Sequence, residues 1–186
     1  CKLVEGYSRV YMLNGYSLPK NKTTLYKYMP LSRFLESINN HELVFVSPEL
    51  WYDPFEQLYH GIDCRERGYV TEEIACMCLS DKSSTNEDAS WRVYSDSNCK
   101  SVRLSIEQKV LLDLLEDYAS QNSYNVYIGK VDYSFEKQAL MSLWKSSTKE
   151  SRMYFPDKMS REHYLSIMLL KRKAFQYENE VRVFLV

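Results

Sequence analysis

Toward the end of the chain Glu178, Glu180 and Arg182 recur at every second position, and Val181, Val183 and Leu185 fill the alternate ones. A period of two is the signature of a half-buried strand. The spacing therefore predicts two carboxylates and a guanidinium on one face and an apolar row on the other. Side chains two apart on a strand lie roughly 7 Å apart, so Glu178 and Glu180 repel each other unless a cation sits between or opposite them. Arg182, Lys171 and Lys173 are the nearest candidates in sequence. Two readings follow. In one this is an edge strand with a charged, solvated face. In the other it is a site in which one carboxylate is poised by its neighbours.

Other residues bear on the choice. Asp53 before Pro54 has the pattern of a helix N-cap with proline in the first turn, and Glu56 stands where it would complete a capping box. Trp91 and Tyr94 are three apart, so on a helical turn they share a face, either as a core corner or as a stacking platform for a planar ring. Lys171-Arg172-Lys173 reads as a basic helix C-terminus that favours the helix dipole and needs no ligand. His41, His60 and His163 make no metal spacing, and Cys76-Met77-Cys78 has no second ligand pair, so no metal is expected. The five glycines stand alone, which removes both the dinucleotide fingerprint and the P-loop.

With 186 residues the chain has the length of one domain with a real core. Twenty-four basic and 25 acidic side chains give a net charge of −1, so bulk charge does not drive nucleic-acid binding, although a nucleic-acid partner stays open. The charge is uneven: residues 42–73 carry eight acids against two bases, and residues 144–186 carry nine bases against five acids. Those segments could face each other, or the basic one could bind an anion. Five cysteines without a paired framework, no apolar run of membrane-spanning length and no signal peptide together point to a cytoplasmic protein with free thiols.

The elements that must position these residues can be read in order. Residues 1–24 are mixed and polar, a loosely packed lead-in with a possible short strand at Val10-Tyr11-Met12-Leu13, and residues 25–186 form one α+β domain. Leu25-Tyr26-Lys27-Tyr28 is a strand. Pro30 then opens a helix whose apolar stripe is Leu31, Phe34, Leu35 and Ile38, and Asn39-Asn40 stops it. Residues 43–46 and 74–79 read as buried strands, and 80–89 as a polar loop. Residues 100–106 alternate with Val102, Leu104 and Ile106 inward, and a helix runs from about 105 to 119 carrying Val110, Leu111, Leu114, Leu115 and Tyr118. Further strand follows at 124–133, broken at Gly129-Lys130, then helices at about 136–146 and 160–173, the last capped by Ser160. Such interspersion predicts a mixed or mostly antiparallel sheet flanked by helices.

The chain resembles a bacterial family known as domain of unknown function 2971. The resemblance is carried by Leu25-Tyr26-Lys27-Tyr28, Phe34-Leu35-Glu36-Ser37, Leu43-Val44-Phe45, Ser47-Pro48 and Asp53-Pro54-Phe55-Glu56. It continues through Trp91 with Tyr94, Val131-Asp132-Tyr133, Lys173 and Tyr177-Glu178-Asn179-Glu180-Val181-Arg182. Tyr52 stands where members usually carry Asn. In order of elements the chain is also similar to the ADP-ribosyltransferase superfamily, with Lys27 at a first-strand position usually held by His or Arg.

That second resemblance implies NAD as a substrate and an unidentified macromolecular acceptor, as in a toxin or phage-defence effector. It implies that Lys27 or Tyr28 holds the dinucleotide's ribose or phosphates, that Trp91 and Tyr94 stack on the nicotinamide, and that Asp53 and Glu56 belong to the binding set. Glu180 would stabilise the ribosyl cation, Glu178 would position the acceptor, and Arg182 would brace both carboxylates. Two other classes remain. One is a non-enzymatic binding module with a buried polar network. The other is a metal-dependent nuclease or glycosidase using Asp53, Glu56, Glu178 and Glu180.

Overall fold

A computed structural model describes residues 1–17, 23–51, 53, 56, 73–81, 91, 94, 100–134 and 160–186. The helix read at 136–146 and most of the 80–89 loop lie outside these residues, as do Tyr52, Pro54, Phe55, His60, Cys64 and Cys99. The frame is a seven-stranded sheet: β1 (Lys2–Leu3), β2 (Val10–Met12), β3 (Thr24–Pro30), β4 (Ala75–Ser80), β5 (Ser101–Glu107), β6 (Val126–Lys130) and β7 (Glu180–Leu185). Their spatial order is β1-β2-β6-β7-β4-β3-β5. Every neighbouring pair is antiparallel except β2 with β6. Three α-helices accompany it among the described residues: α1 (Leu31–Asn40), α2 (Gln108–Asn122) and α3 (Arg161–Ile167). The α+β class and mostly antiparallel sheet are as the sequence predicts. No helix among the described residues is long and apolar enough to cross a membrane.

Alternation along the strands gives the sheet two apolar faces. Val10, Met77, Leu79, Val126, Ile128, Val181 and Val183 point to one, which α2 covers with Leu111, Leu112, Leu115 and Ala119. Leu13, Cys76, Tyr127 and Phe184 point to the other, under Tyr164 and Leu165 of α3 and the following Met168 and Leu169. Cys76 and Cys78 do share a strand face, and both thiols are free, as is that of Cys1. The central position of β7 follows from its pairing: β6 and β4 flank it, and all six of its residues are buried. The edge-strand expectation is therefore corrected, because a strand paired on both sides and covered on both faces offers no solvent face.

Several local expectations also change. The first residues are not loosely packed, since Val4, Val10 and Leu13 are buried and β2 joins the sheet. Residues 43–46 do not form a buried strand. Only Val46 bridges to Cys76, and Leu43 and Val44 are exposed. β5 keeps residues 105–107 that periodicity assigned to a helix, so α2 starts later and buries a face rotated from the expected one, leaving Val110, Leu114 and Tyr118 outside. β6 passes unbroken through Gly129, which pairs with Arg182. A Cβ there would stand 2.3 Å from Leu169 Cδ1 and 3.1 Å from Leu13 Cβ. Glycine here leaves room for the Leu169 side chain against the strand rather than ending it.

Candidate functional site

Glu180 opens β7 and Arg182 follows on the same face, at the end of the sheet where β4 and β6 stop. The main chain at Glu180 is fixed from two sides: its N–H donates to the Tyr133 hydroxyl at 2.9 Å, and its carbonyl accepts from Val131 N–H at 2.9 Å. Glu178 is not on the strand. It ends a 3₁₀ turn (Lys173–Glu178), and Asn179 in the left-handed conformation at φ 45° turns the chain into β7. Asparagine tolerates that conformation better than most residues. The two glutamates are thus brought together by a turn and a shared cation, and the strand spacing argument is corrected.

The shared cation is Lys171. Helix α3 ends at Ile167, not at 173, so Lys171 and Arg172 lie beyond it and are free of the dipole role read for them. Lys171 Nζ stands 2.6 Å from Glu178 Oε2, 2.9 Å from Glu180 Oε2 and 3.9 Å from Glu56 Oε1. Three carboxylates converge on one ammonium, at the centre that a divalent cation would occupy in a carboxylate metal site. Phe175 closes over it, with its ring centroid 5.0 Å from Nζ.

Arg182 spans the other side. Its Nε donates to Glu180 Oε1 at 2.8 Å and its Nη2 to Glu180 Oε2 at 3.2 Å, while Nη2 also meets Glu56 and Nη1 donates to the Met168 carbonyl. The guanidinium lies 4.1 Å from the centroid of the Trp51 ring. Arg182 is 1 % exposed and Glu180 3 %. A buried charge persists only when paired and hydrogen-bonded, and this network meets that condition from three separate segments. The predicted bracing of Glu180 by Arg182 is present; Glu178 is held by Lys171 instead. Glu56 belongs to this network through Arg182, so its carboxylate faces the sheet end. Asp53 pairs with Arg172, Nη2 to Oδ1 at 3.0 Å and Nε to Oδ2 at 3.2 Å. Acids of the early segment and bases of the late one do face each other.

The two glutamates are pushed apart in proton affinity. Burial disfavours charge on Glu180, but Arg182 and Lys171 together outweigh it and hold the carboxyl well below the usual range. At Glu178 burial dominates and Glu180 adds to it, so this carboxyl is raised despite Lys171. Burial alone would lower the Lys171 ammonium, and Glu180, Glu56 and Glu178 reverse that and raise it. Three carboxylates against two cations leave one negative charge in excess when all are ionised.

Beside the acids stand the aromatics. Tyr28 meets Trp91 edge-on at 5.1 Å between centroids and lies near-parallel to Tyr94 at 6.3 Å. Burial, then Glu178 and Glu180, push the Tyr94 phenol well up, which ties this group to the carboxylates. The Tyr28 hydroxyl is buried without a hydrogen-bond partner among the described residues. Lys27, its neighbour on β3, points to the other sheet face and donates to the Cys78 carbonyl at 3.3 Å. The structure therefore brings together Glu56, Glu178, Glu180, Arg182, Tyr28, Trp91 and Tyr94, and sets Lys27 apart.

Sequence reasoning left Lys171 as one of three possible counter-ions and missed Trp51, Tyr133, Arg172 and Phe175. The usable signal was a lysine preceding the glutamate pair, hidden by an apparent helix end. Residues 90–183 match a family described as a protein of unknown function (DUF2971). The chain belongs to that family. No curated protein and no solved structure matches it.

Proposed function

We propose that this DUF2971 chain breaks the N-glycosidic bond of NAD and transfers the ADP-ribosyl group to an acceptor. The observation that carries the reading is a pair of carboxylates with opposed proton affinities, beside three aromatic rings, at one end of the sheet. Carboxylates driven apart in this way divide into a fixed anion and an exchangeable group. Glu180 is the fixed anion, and it would stabilise positive charge developing at the ribose C1′ as the C1′–N bond breaks and its electron pair leaves with neutral nicotinamide. Glu178, the more basic carboxylate, would take the proton of the acceptor nucleophile as that atom bonds to C1′. The excess negative charge favours a cationic pyridinium ring, and Tyr28, Trp91 and Tyr94 offer surfaces on which it could stack. Such an activity is that of a toxin or phage-defence effector.

The test is nicotinamide release from NAD with protein, RNA and DNA present as acceptors. Removing one such electrostatic group costs about 10²–10³ in kcat, so Glu180→Gln should fall by that factor and Glu178→Gln should lose transfer while binding NAD. Absence of release by the wild type, with no calorimetric binding of NAD, overturns the reading. One observation favours a second function: both Glu180 oxygens are already taken by Arg182 and Lys171. A module that binds a macromolecule and uses the network as internal architecture predicts that Glu180→Gln lowers stability in a protein that never turned over NAD.

A further inference from the structure

On the α2 side of the sheet, the face opposite the carboxylate network, a cleft of about 550 Å³ is lined by Asn14, Gly15, Tyr16, Ser17, Thr23, Asp81 and Lys130. This lies within the range of small-molecule sites. The faces differ by strand alternation: Lys130 follows Val126 and Ile128 on the α2 side and Tyr16 packs with that core, whereas Glu180 and Arg182 point the opposite way.

Its chemistry is balanced and underused. Lys130 and Asp81 form an ion pair through Asp81 Oδ2, so the wall carries no net charge. The other oxygen, Asp81 Oδ1, is buried with no hydrogen-bond partner among the described residues. Gln108, 4 % exposed at the start of α2 and not one of the lining residues, makes no hydrogen bond in good geometry through either amide atom among the described residues, and it lies close enough to Tyr16 to influence the phenol. Burial and the Asp81 charge push that phenol up to about 12, so it remains a donor at neutral pH. Leaving buried donors and acceptors unmatched is costly. The rim is a tight turn, closed by Tyr16 N–H donating to the Leu13 carbonyl at 2.9 Å, and it is open to solvent. Asn14 at φ 49° and Gly15 at φ 68° make a left-handed pair, and a Cβ added at Gly15 would meet nothing within 4 Å.

We propose that this cleft is a second ligand site, for an uncharged polyhydroxylated molecule of pentose or nucleoside size. The Asp81 carboxylate accepts from a hydroxyl as the wall adjusts around the ligand, and Tyr16 and Lys130 donate to others. The neutral Asp81–Lys130 wall selects against charged ligands. The proposal is independent of NAD turnover, because no residue is shared with the carboxylate network.

The test is a titration of the ¹⁵N-labelled chain with D-ribose and with adenosine, followed by heteronuclear NMR. Saturable binding of either probe is expected, with shifts centred on Asn14, Gly15, Asp81 and Lys130. Asp81→Asn should weaken it by about tenfold or more, as expected for a hydrogen bond to a charged group. Tyr16→Phe, which keeps the ring, should weaken it less, and Tyr94→Phe on the opposite face should bind as the wild type does. Absence of saturable shifts with both probes overturns the proposal. So does binding that Asp81→Asn and Tyr16→Phe leave unchanged, or shifts confined to the carboxylate face.

Discussion

Helix α1 and strand β7 invert the usual placement of apolar and charged residues. The stripe of α1 has the i, i+3, i+4, i+7 spacing of a core-facing helix, yet Leu35 is 50 % and Ile38 51 % exposed. β7 carries a glutamate and an arginine, and both are buried. Period identifies which residues share a face. Where that face goes is decided by what the topology lays over it. β7 is enclosed because β6 and β4 pair with its edges and segments distant in sequence return over both faces. A buried charge at its centre is then tolerated only because Glu56, Lys171 and Glu178 arrive with it.

This comparison breaks most easily at Arg182. Arg182→Met leaves Glu180 and Glu56 facing one fewer cation in a dry site, and removing one member of a buried charged network costs about 3–5 kcal/mol. Urea unfolding should show that loss; a cost under about 1 kcal/mol would mean that the network is solvated after all. Acid comes next. The folded-state carboxyl of Glu180 is depressed, so its stabilisation is complete above the unfolded glutamate value of about 4.3 and is lost as pH falls below it. The urea midpoint should therefore drop between pH 5 and pH 3. The drop should persist in Glu178→Gln, since the raised Glu178 carboxyl contributes with the opposite sign. A midpoint independent of pH in that variant contradicts the assignment. The smallest effect belongs to α1: Ile38→Ser should change stability by no more than about 0.5 kcal/mol, as for ordinary surface positions. A loss of several kcal/mol would show that the stripe is covered in solution.

The same contrast explains what could be read from the chain. β3, β4, β5 and β7 were legible because alternation or an apolar run bounded by breakers survives in any context. The Glu180–Arg182 pairing was legible because it is local. The joining of Glu56 to Arg182 and of Asp53 to Arg172 spans more than a hundred residues, and only the charge asymmetry between the two segments hinted at it. Lys171 was obscured because a lysine after an apolar run reads as a helix end, while the helix stops four residues earlier. The 43–46 run failed for the reason α1 did: four apolar residues in a row state a preference for burial, and among the described residues only Val46 meets a strand, bridging to Cys76 of β4.

One rung of the sheet carries a consequence for its motions. β3 meets β4 only at Tyr26 and Ser80, whereas β3 pairs with β5 at seven positions and β4 with β7 at six. Beyond that rung the Lys27 ammonium, bonded to the Cys78 carbonyl, stands in for a ladder. The ladder between the five strands β1-β2-β6-β7-β4 and the ribbon β3-β5 is thus the shortest between neighbours in this half of the sheet, the place where local opening would break the fewest pairings. Tyr28 belongs to the ribbon, Glu180 and Arg182 belong to the larger unit, and breathing of that seam would widen or narrow the space between aromatics and acids.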